Sequence, residues 1–198
     1  MKTIPALLLV LALGGCAVAT PPPDNFHRLS SPTEVTTLAK PLNGTIEVTR
    51  PSAEGLAADR ALVYSYRDQP NSVQRYGYEL WSEPPAALVQ QQVIECLRTA
   101  KAARMVVSAD LGAVPDYTVK GRVHRFEQVV AGQAAVALVE AELAVTRLRD
   151  DRILLLKTYR VEQPAADIGV PAAVRAFDQA LAQVCRAFAA DLAAAQGR

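Results

Sequence analysis

The sequence predicts an α/β chain of the α+β type: a single mixed, largely antiparallel sheet with two main helices packed against it. Three observations carry this. Residues 117–161 alternate apolar and polar positions in three successive arms, the period of half-buried strands. Residues 84–103 and 172–195 instead repeat apolar positions at three and four residues, which lays one apolar stripe along each of two helices. No internal repeat and no interdomain linker interrupts the body of the 198-residue chain, so one core serves it.

Composition narrows the function. Hydrophobic residues make up 51% and charged residues 21%, which is too apolar for disorder. Lys+Arg 21 against Asp+Glu 20 leaves a formal charge of +1, and a balance this even excludes a nucleic-acid binder driven by phosphate neutralisation. Three Cys in a chain of this length are no disulfide scaffold, and two His give little from which to build a metal or catalytic centre.

The chain opens Met1-Lys2-Thr3 and runs apolar from Ile4 to Leu13, the pattern of a secretory signal peptide. The run falls short of the roughly 20 apolar residues that a membrane-spanning helix needs. It ends in Leu13-Gly14-Gly15-Cys16, which resembles the lipobox of bacterial lipoproteins. That resemblance implies cleavage before Cys16, a thioether-linked lipid on its sulfur, and an acyl group such as palmitate on the new amino terminus. Small residues before the Cys let a peptidase approach the backbone, and several acyl chains anchor far more firmly than one. Ala17, where an Asp often retains lipoproteins at the inner membrane, points to the outer membrane facing the periplasm. Removal of residues 1–15 takes away Lys2 and no acid, so the mature chain is formally neutral. Residues 1–15 are thus a signal peptide, 16–25 a lipidated Cys with a Pro-rich tether, and 26–198 the folded domain. Pro21-Pro22-Pro23 favours an extended tether, and residues 17–24 would span roughly 25 Å.

The elements follow in order. Phe26 to Leu29 is a short strand, and Asn43-Gly44 marks a turn before a strand at Thr45–Thr49. Leu62–Tyr66 and Tyr76–Leu80 read as a hairpin around Pro70-Asn71. The helix over 84–103 starts on Pro84-Pro85, residues suited to a first turn, and presents Leu88, Val89, Val93, Ile94 and Leu97 on one side. Met105–Val107 is a short strand. The meander comprises Tyr117–Val130, Ala135–Leu148 and Ile153–Val161, its last two arms joined at Asp150-Asp151. Pro164–Pro171 is a loop, and the final helix aligns Val174, Phe177, Leu181, Val184, Phe188 and Leu192 to lie on the sheet.

Chemistry-bearing patterns are mostly missing from the sequence. It has no Gly-rich phosphate loop, Cys-x-x-Cys, His-Glu-x-x-His or Gly-x-Ser-x-Gly, so neither a cofactor nor an enzymatic activity is expected. His124, between Arg122 and Arg125, reads as a half-exposed strand histidine. Glu140 and Glu142 share one strand face and read as exposed sheet carboxylates.

Two constellations stay open. Cys96 and Cys185 fall near the apolar stripes of the two helices, where they form either a disulfide, in an oxidising periplasm, or two buried thiols. Tyr64, Tyr66, Tyr76, Tyr78 and Trp81 concentrate aromatic side chains in a chain with 6% aromatics. They serve either as a surface for lipid or partner, with Tyr76, Tyr78 and Trp81 its candidate docking residues, or as packing beneath a helix.

The order of these pieces resembles the ABC-type transport auxiliary lipoproteins, whose members include the paraquat-inducible protein C type of the MCE (mammalian cell entry) lipid transporters. The resemblance covers nearly all of residues 26–195. It rests on Leu80-Trp81-Ser82-Glu83-Pro84-Pro85 ahead of a Leu-rich helix, and on Asp116-Tyr117-Thr118-Val119 leading to Arg125-Phe126-Glu127. Arg50-Pro51 and Val63-Tyr64 also stand where the family has its early strands, while Pro85 departs from a frequent Leu. The resemblance implies a non-catalytic, envelope-anchored component of a system that moves phospholipids or other hydrophobic solutes between inner and outer membranes. Its implied partners are an MCE-domain protein, an ABC permease and a cytoplasmic ATPase, with phospholipid as a ligand and homo-oligomers allowed. The competing expectation is a structural or assembly lipoprotein of the outer envelope with no link to an ABC transporter.

Overall fold

The structure, a computed structural model, describes residues 21–29 and 35–196. Its elements are β1 (Asn25–His27), β2 (Leu42–Val48), β3 (Ser52–Ala53), β4 (Ala61–Tyr66), β5 (Gln69–Trp81), α1 (Pro85–Thr99), β6 (Ala103–Ser108), β7 (Tyr117–Ala131), β8 (Ala134–Arg147), β9 (Arg152–Pro164) and α2 (Val170–Ala195). All the strands belong to one mixed sheet, and both helices pack on the same face of it, as the α+β reading expects.

β7 is the spine. Its whole length pairs antiparallel with β8, which pairs antiparallel with β9. Along its other edge β2, β3 and β4 pair with it in turn, all parallel, so residues 42–66 run beside it as an interrupted strand. The long ladders are antiparallel and the parallel ones short. β6 extends the sheet beyond β2, and β5 and β1 extend it beyond β4.

The core lies between sheet and helices. α1 contributes Val89, Val93 and Leu97, α2 contributes Phe177, Leu181, Val184, Phe188 and Leu192, and the sheet answers with Ile46, Leu62, Val119, Phe126, Val139 and Val145. In β8 the odd positions face the helices throughout. Leu138, one register out, is nevertheless 1% exposed on the opposite face, because the sheet curls into a half-barrel. A flat sheet would leave that face open to water.

Several local expectations are corrected. α1 stops at Thr99, not 103: Lys101 adopts φ 48°, its amide donates to the Arg98 carbonyl, and the Ala102 amide donates to the Leu97 carbonyl. That is a Schellman stop with a Lys in the left-handed position, where sequence reasoning looks for Gly. The hairpin turns at Arg67-Asp68 rather than Pro70-Asn71, and β5 begins directly after it. Asn43-Gly44 is not a turn but an irregularity inside β2. Gly44 sits at φ 131°, a Cβ there would meet the Asp116 carboxylate at 2.1 Å, and that carboxylate accepts from the Thr45 amide at 2.8 Å. Only glycine fits such an approach.

Candidate functional site

The aromatic run divides into core and surface. Trp81, at the end of β5, is 0% exposed and stands edge-on to Phe126 of β7 and Phe177 of α2, with ring centroids 5.4 and 5.2 Å away. This corrects the docking expectation for Trp81: a ring that holds α2 against the sheet is not available to a partner. Tyr76 is half-buried, and its hydroxyl donates to Gln128 Oε1 at 2.7 Å. Burial, reinforced by Tyr64, Tyr66 and Glu79 nearby, pushes that hydroxyl's pKa up. Gln128 Nε2 in turn donates to the Ile168 carbonyl just before α2, so Tyr76 belongs to a polar tie beneath the helix start. Tyr78 is 40% exposed, and Tyr66 and Val73 of the same hairpin are similarly open.

Cys96 of α1 and Cys185 of α2 meet across the helix pair, with Cα atoms 6.0 Å apart and sulfurs 1.96 Å apart. Both are buried in the core. Cys16 lies outside the described residues. Among the described residues, no helix is long and apolar enough to cross a membrane.

The sheet face away from the helices carries the charge. A bulge in β7 inserts His124 between Val123, which pairs with Ala141, and Arg125, which pairs with Glu140. The extra residue reverses the alternation, so that Val123 and Phe126 both face the helices while Arg125 and Glu127 face away. Arg125 Nε donates to Glu127 Oε1. Beyond Arg125, Arg160 of β9 bridges Glu140 at 2.6 Å and Glu162 at 2.9 Å, and Arg67 closes on Glu162 at 3.0 Å. Hydrogen bonds from Arg67 and then Arg160 hold the Glu162 carboxyl below the usual carboxylate range. Glu140 is thus a structural ion-pair partner, and His124 is the bulge residue.

Two smaller pairs brace the edges. His27 of β1 sits 2.5 Å from Glu79 of β5, and that bond holds the Glu79 carboxyl down. Lys157 and the Tyr159 hydroxyl both donate to Asp191 of α2, at 2.8 and 3.0 Å, fixing the helix to β9. The Lys157 bond lowers the Asp191 carboxyl, while burial raises the Tyr159 hydroxyl.

The helix-free face also holds a cavity of about 260 Å³ beside the His124 bulge. Leu56, Val63 and Val73 give it apolar wall, and Glu54, His124, Arg125 and Glu127 give it charge. Sequence reasoning quoted Arg125-Phe126-Glu127 for its pattern and did not find the cavity. Its walls come from the single helical turn at Gly55–Ala58 and from the hairpin, neither of which has a period to read.

Comparison with known proteins adds the family. A sequence model described as the ABC-type transport auxiliary lipoprotein component matches residues 27–189. Among solved structures, a Xanthomonas campestris protein of family DUF330 superposes with TM-score 0.74 at 23% identity, covering 87% of this chain and 97% of that one. A second, described only as an uncharacterized protein, gives TM-score 0.64 at 15% identity over 85% and 98%. Likeness at these identities shows the fold. No curated protein matches the chain.

Proposed function

The chain belongs to the family of ABC-type transport auxiliary lipoprotein components, and from that premise we propose that it is the lipid-anchored, non-catalytic envelope component of an MCE-type ABC system. In this reading it moves no solute by its own chemistry. It docks the MCE-domain protein near the outer membrane while a permease and a cytoplasmic ATPase supply the path and the energy. The cargo is phospholipid or another hydrophobic solute passing between the two membranes.

One observation carries the proposal: the family match spans 27–189, from β1 to within α2, so it covers essentially the whole folded body and not a fragment. The lipobox at Cys16 and the Pro-rich tether of residues 16–25 agree with it, since confinement beside the membrane raises the effective concentration toward a partner there. Docking at the β4–β5 hairpin, with Tyr78 in the contact, is consistent with the exposed ring and with the burial of Trp81.

Affinity purification of the native lipidated protein from membranes tests it. Recovery of an MCE-domain protein, with or without permease and ATPase, is the expected result. Recovery of outer-membrane assembly factors alone would move the chain to the assembly reading and leave the family as a description of fold.

A further inference from the structure

The first strand holds the domain beside its anchor. β1 is an outer strand of the sheet and pairs only with residues 79–81 of β5. The chain before it, residues 21–24, is exposed and belongs to no strand. Phe26 follows Cys16 by ten residues, so their Cα atoms cannot stand more than ~35 Å apart. A domain of about 170 residues measures ~40 Å across. A chain acylated at Cys16 therefore keeps the β1 edge near the bilayer. The start of β9, at the other end of the strand order β1-β5-β4-β7-β8-β9, is under no such limit.

The β1 edge carries side chains suited to a layer of lipid head groups. Phe26 is 55% exposed although it lies in a strand. The Arg60 guanidinium stands over its ring, 5.1 Å from the centroid. Arg60 spends Nε on the Trp81 carbonyl at 3.1 Å, which leaves its terminal nitrogens to donate elsewhere. Arg28 is exposed and has no ion-pair or hydrogen-bond partner among the described residues. These three line an open groove of about 910 Å³ together with apolar Leu29 and Leu88 and the carboxylate of Glu83. Asp24 and Asp59 are exposed next to β1 and Arg60, so the edge holds two cations and three carboxylates. That mixture does not select an anionic surface. It matches zwitterionic head groups, whose phosphates accept from Arg and whose ammonium groups donate to carboxylates.

We propose that the β1 edge is a membrane-seating surface, with a zwitterionic phospholipid bilayer as its occupant. Phe26 enters the head-group layer, and Arg28 and Arg60 donate to lipid phosphates there. Phe is at home at the interface, and Arg keeps its charged end in the polar layer while its stem covers apolar groups. One ring and two guanidiniums do not hold a protein on a bilayer unaided. They orient one that is already tethered, because a short tether makes the second contact intramolecular, at an effective concentration on the order of millimolar. The inference goes beyond the transport reading and rests on it for the lipid anchor alone.

Quenching in vesicles tests it. The full lipidated chain is reconstituted in phosphatidylethanolamine–phosphatidylcholine vesicles that contain a lipid with a nitroxide on its head group. A fluorophore sits on one introduced cysteine: Gln91→Cys marks the groove, and Ile153→Cys, 57% exposed at the start of β9, marks the far side. The groove probe should be quenched at least about threefold more strongly than the far probe. Phe26→Asp combined with Arg28→Glu, both at exposed positions, should abolish that difference while the protein still floats with the vesicles. Exchanging part of the phosphatidylcholine for phosphatidylglycerol should leave the ratio unchanged. Equal quenching of the two probes, a difference that survives the double substitution, or a difference that appears only with phosphatidylglycerol would overturn the inference and leave the anchor standing. Failure of the unsubstituted chain to float would overturn the anchor, and the seating surface with it.

Discussion

Arg67 meets Glu162 at 3.0 Å although two strands, β7 and β8, separate β4 from β9 in the sheet. On a flat sheet strands so related stand ~14 Å apart. The contact therefore records the curl that buries Leu138 on the helix-free face. Arg67, Glu162, Arg160 and Glu140 form one continuous chain of ion pairs across that curl.

The chain should respond to acid at Glu162. Its carboxyl titrates lower in the folded state than in the unfolded one, so its stabilisation is complete above the unfolded pKa, about 4.3, and is lost as pH falls through the folded value. Glu162→Gln should cost less than about 1 kcal/mol near neutrality, because the pair is partly exposed. It should also flatten the fall in stability below about pH 5, to which Glu79 and Asp191 still contribute. Urea unfolding of both proteins at pH 7 and in acid reads both effects; an unchanged acid slope would mean that the curl does not depend on this pair.

Joining Cys96 to Cys185 closes a loop of 89 residues in sequence separation. Protein made in an oxidising compartment should show no free thiol at either position after denaturation. Replacing both by Ser should lower stability by about 2–4 kcal/mol through the freer unfolded chain. Two titratable thiols with unchanged melting would establish the alternative of two buried cysteines.

Trp81 is the chain's one tryptophan and is fully buried, so its fluorescence should be blue-shifted and inaccessible to iodide. Trp81→Ala should cost about 3–5 kcal/mol by opening a cavity beside the stacked Phe126 and Phe177 rings. Thermal melts check this, and a quenchable, red-shifted emission would return Trp81 to the surface.

Cys16→Ala should move the protein from the membrane fraction to the soluble periplasmic fraction, since the tether then carries no acyl chains. Fractionation with immunoblotting reads it, and retention in the membrane would contradict the anchor.

The long elements were legible because their burial has a period. β8 and α2 each repeat an apolar face many times, and the Phe177–Phe188 stripe lies where its spacing put it. What escaped has no period. The bulge at His124 shifts alternation by a single residue, so Val123 and Phe126 share a face that simple alternation would split. Leu138 is buried by curvature, a property of the whole sheet. Lys101 ends α1 in a conformation that its residue type does not advertise. The candidate cavity suffers most, because it joins Leu56, Val73 and Glu127 from segments unrelated in sequence. Trp81 misled for a related reason: an aromatic run on a hairpin looks alike whether a helix or a partner covers it.

Contact with an MCE-type transporter can be trapped with a photocrosslinker. With benzoylphenylalanine replacing exposed Tyr78 in the native, lipidated protein, irradiation of whole cells should yield an adduct with an MCE-domain protein. The adduct should fade when Cys16 is replaced and the anchor is lost. Adducts formed only with outer-membrane assembly proteins would place the chain in an assembly machine instead of an ABC system.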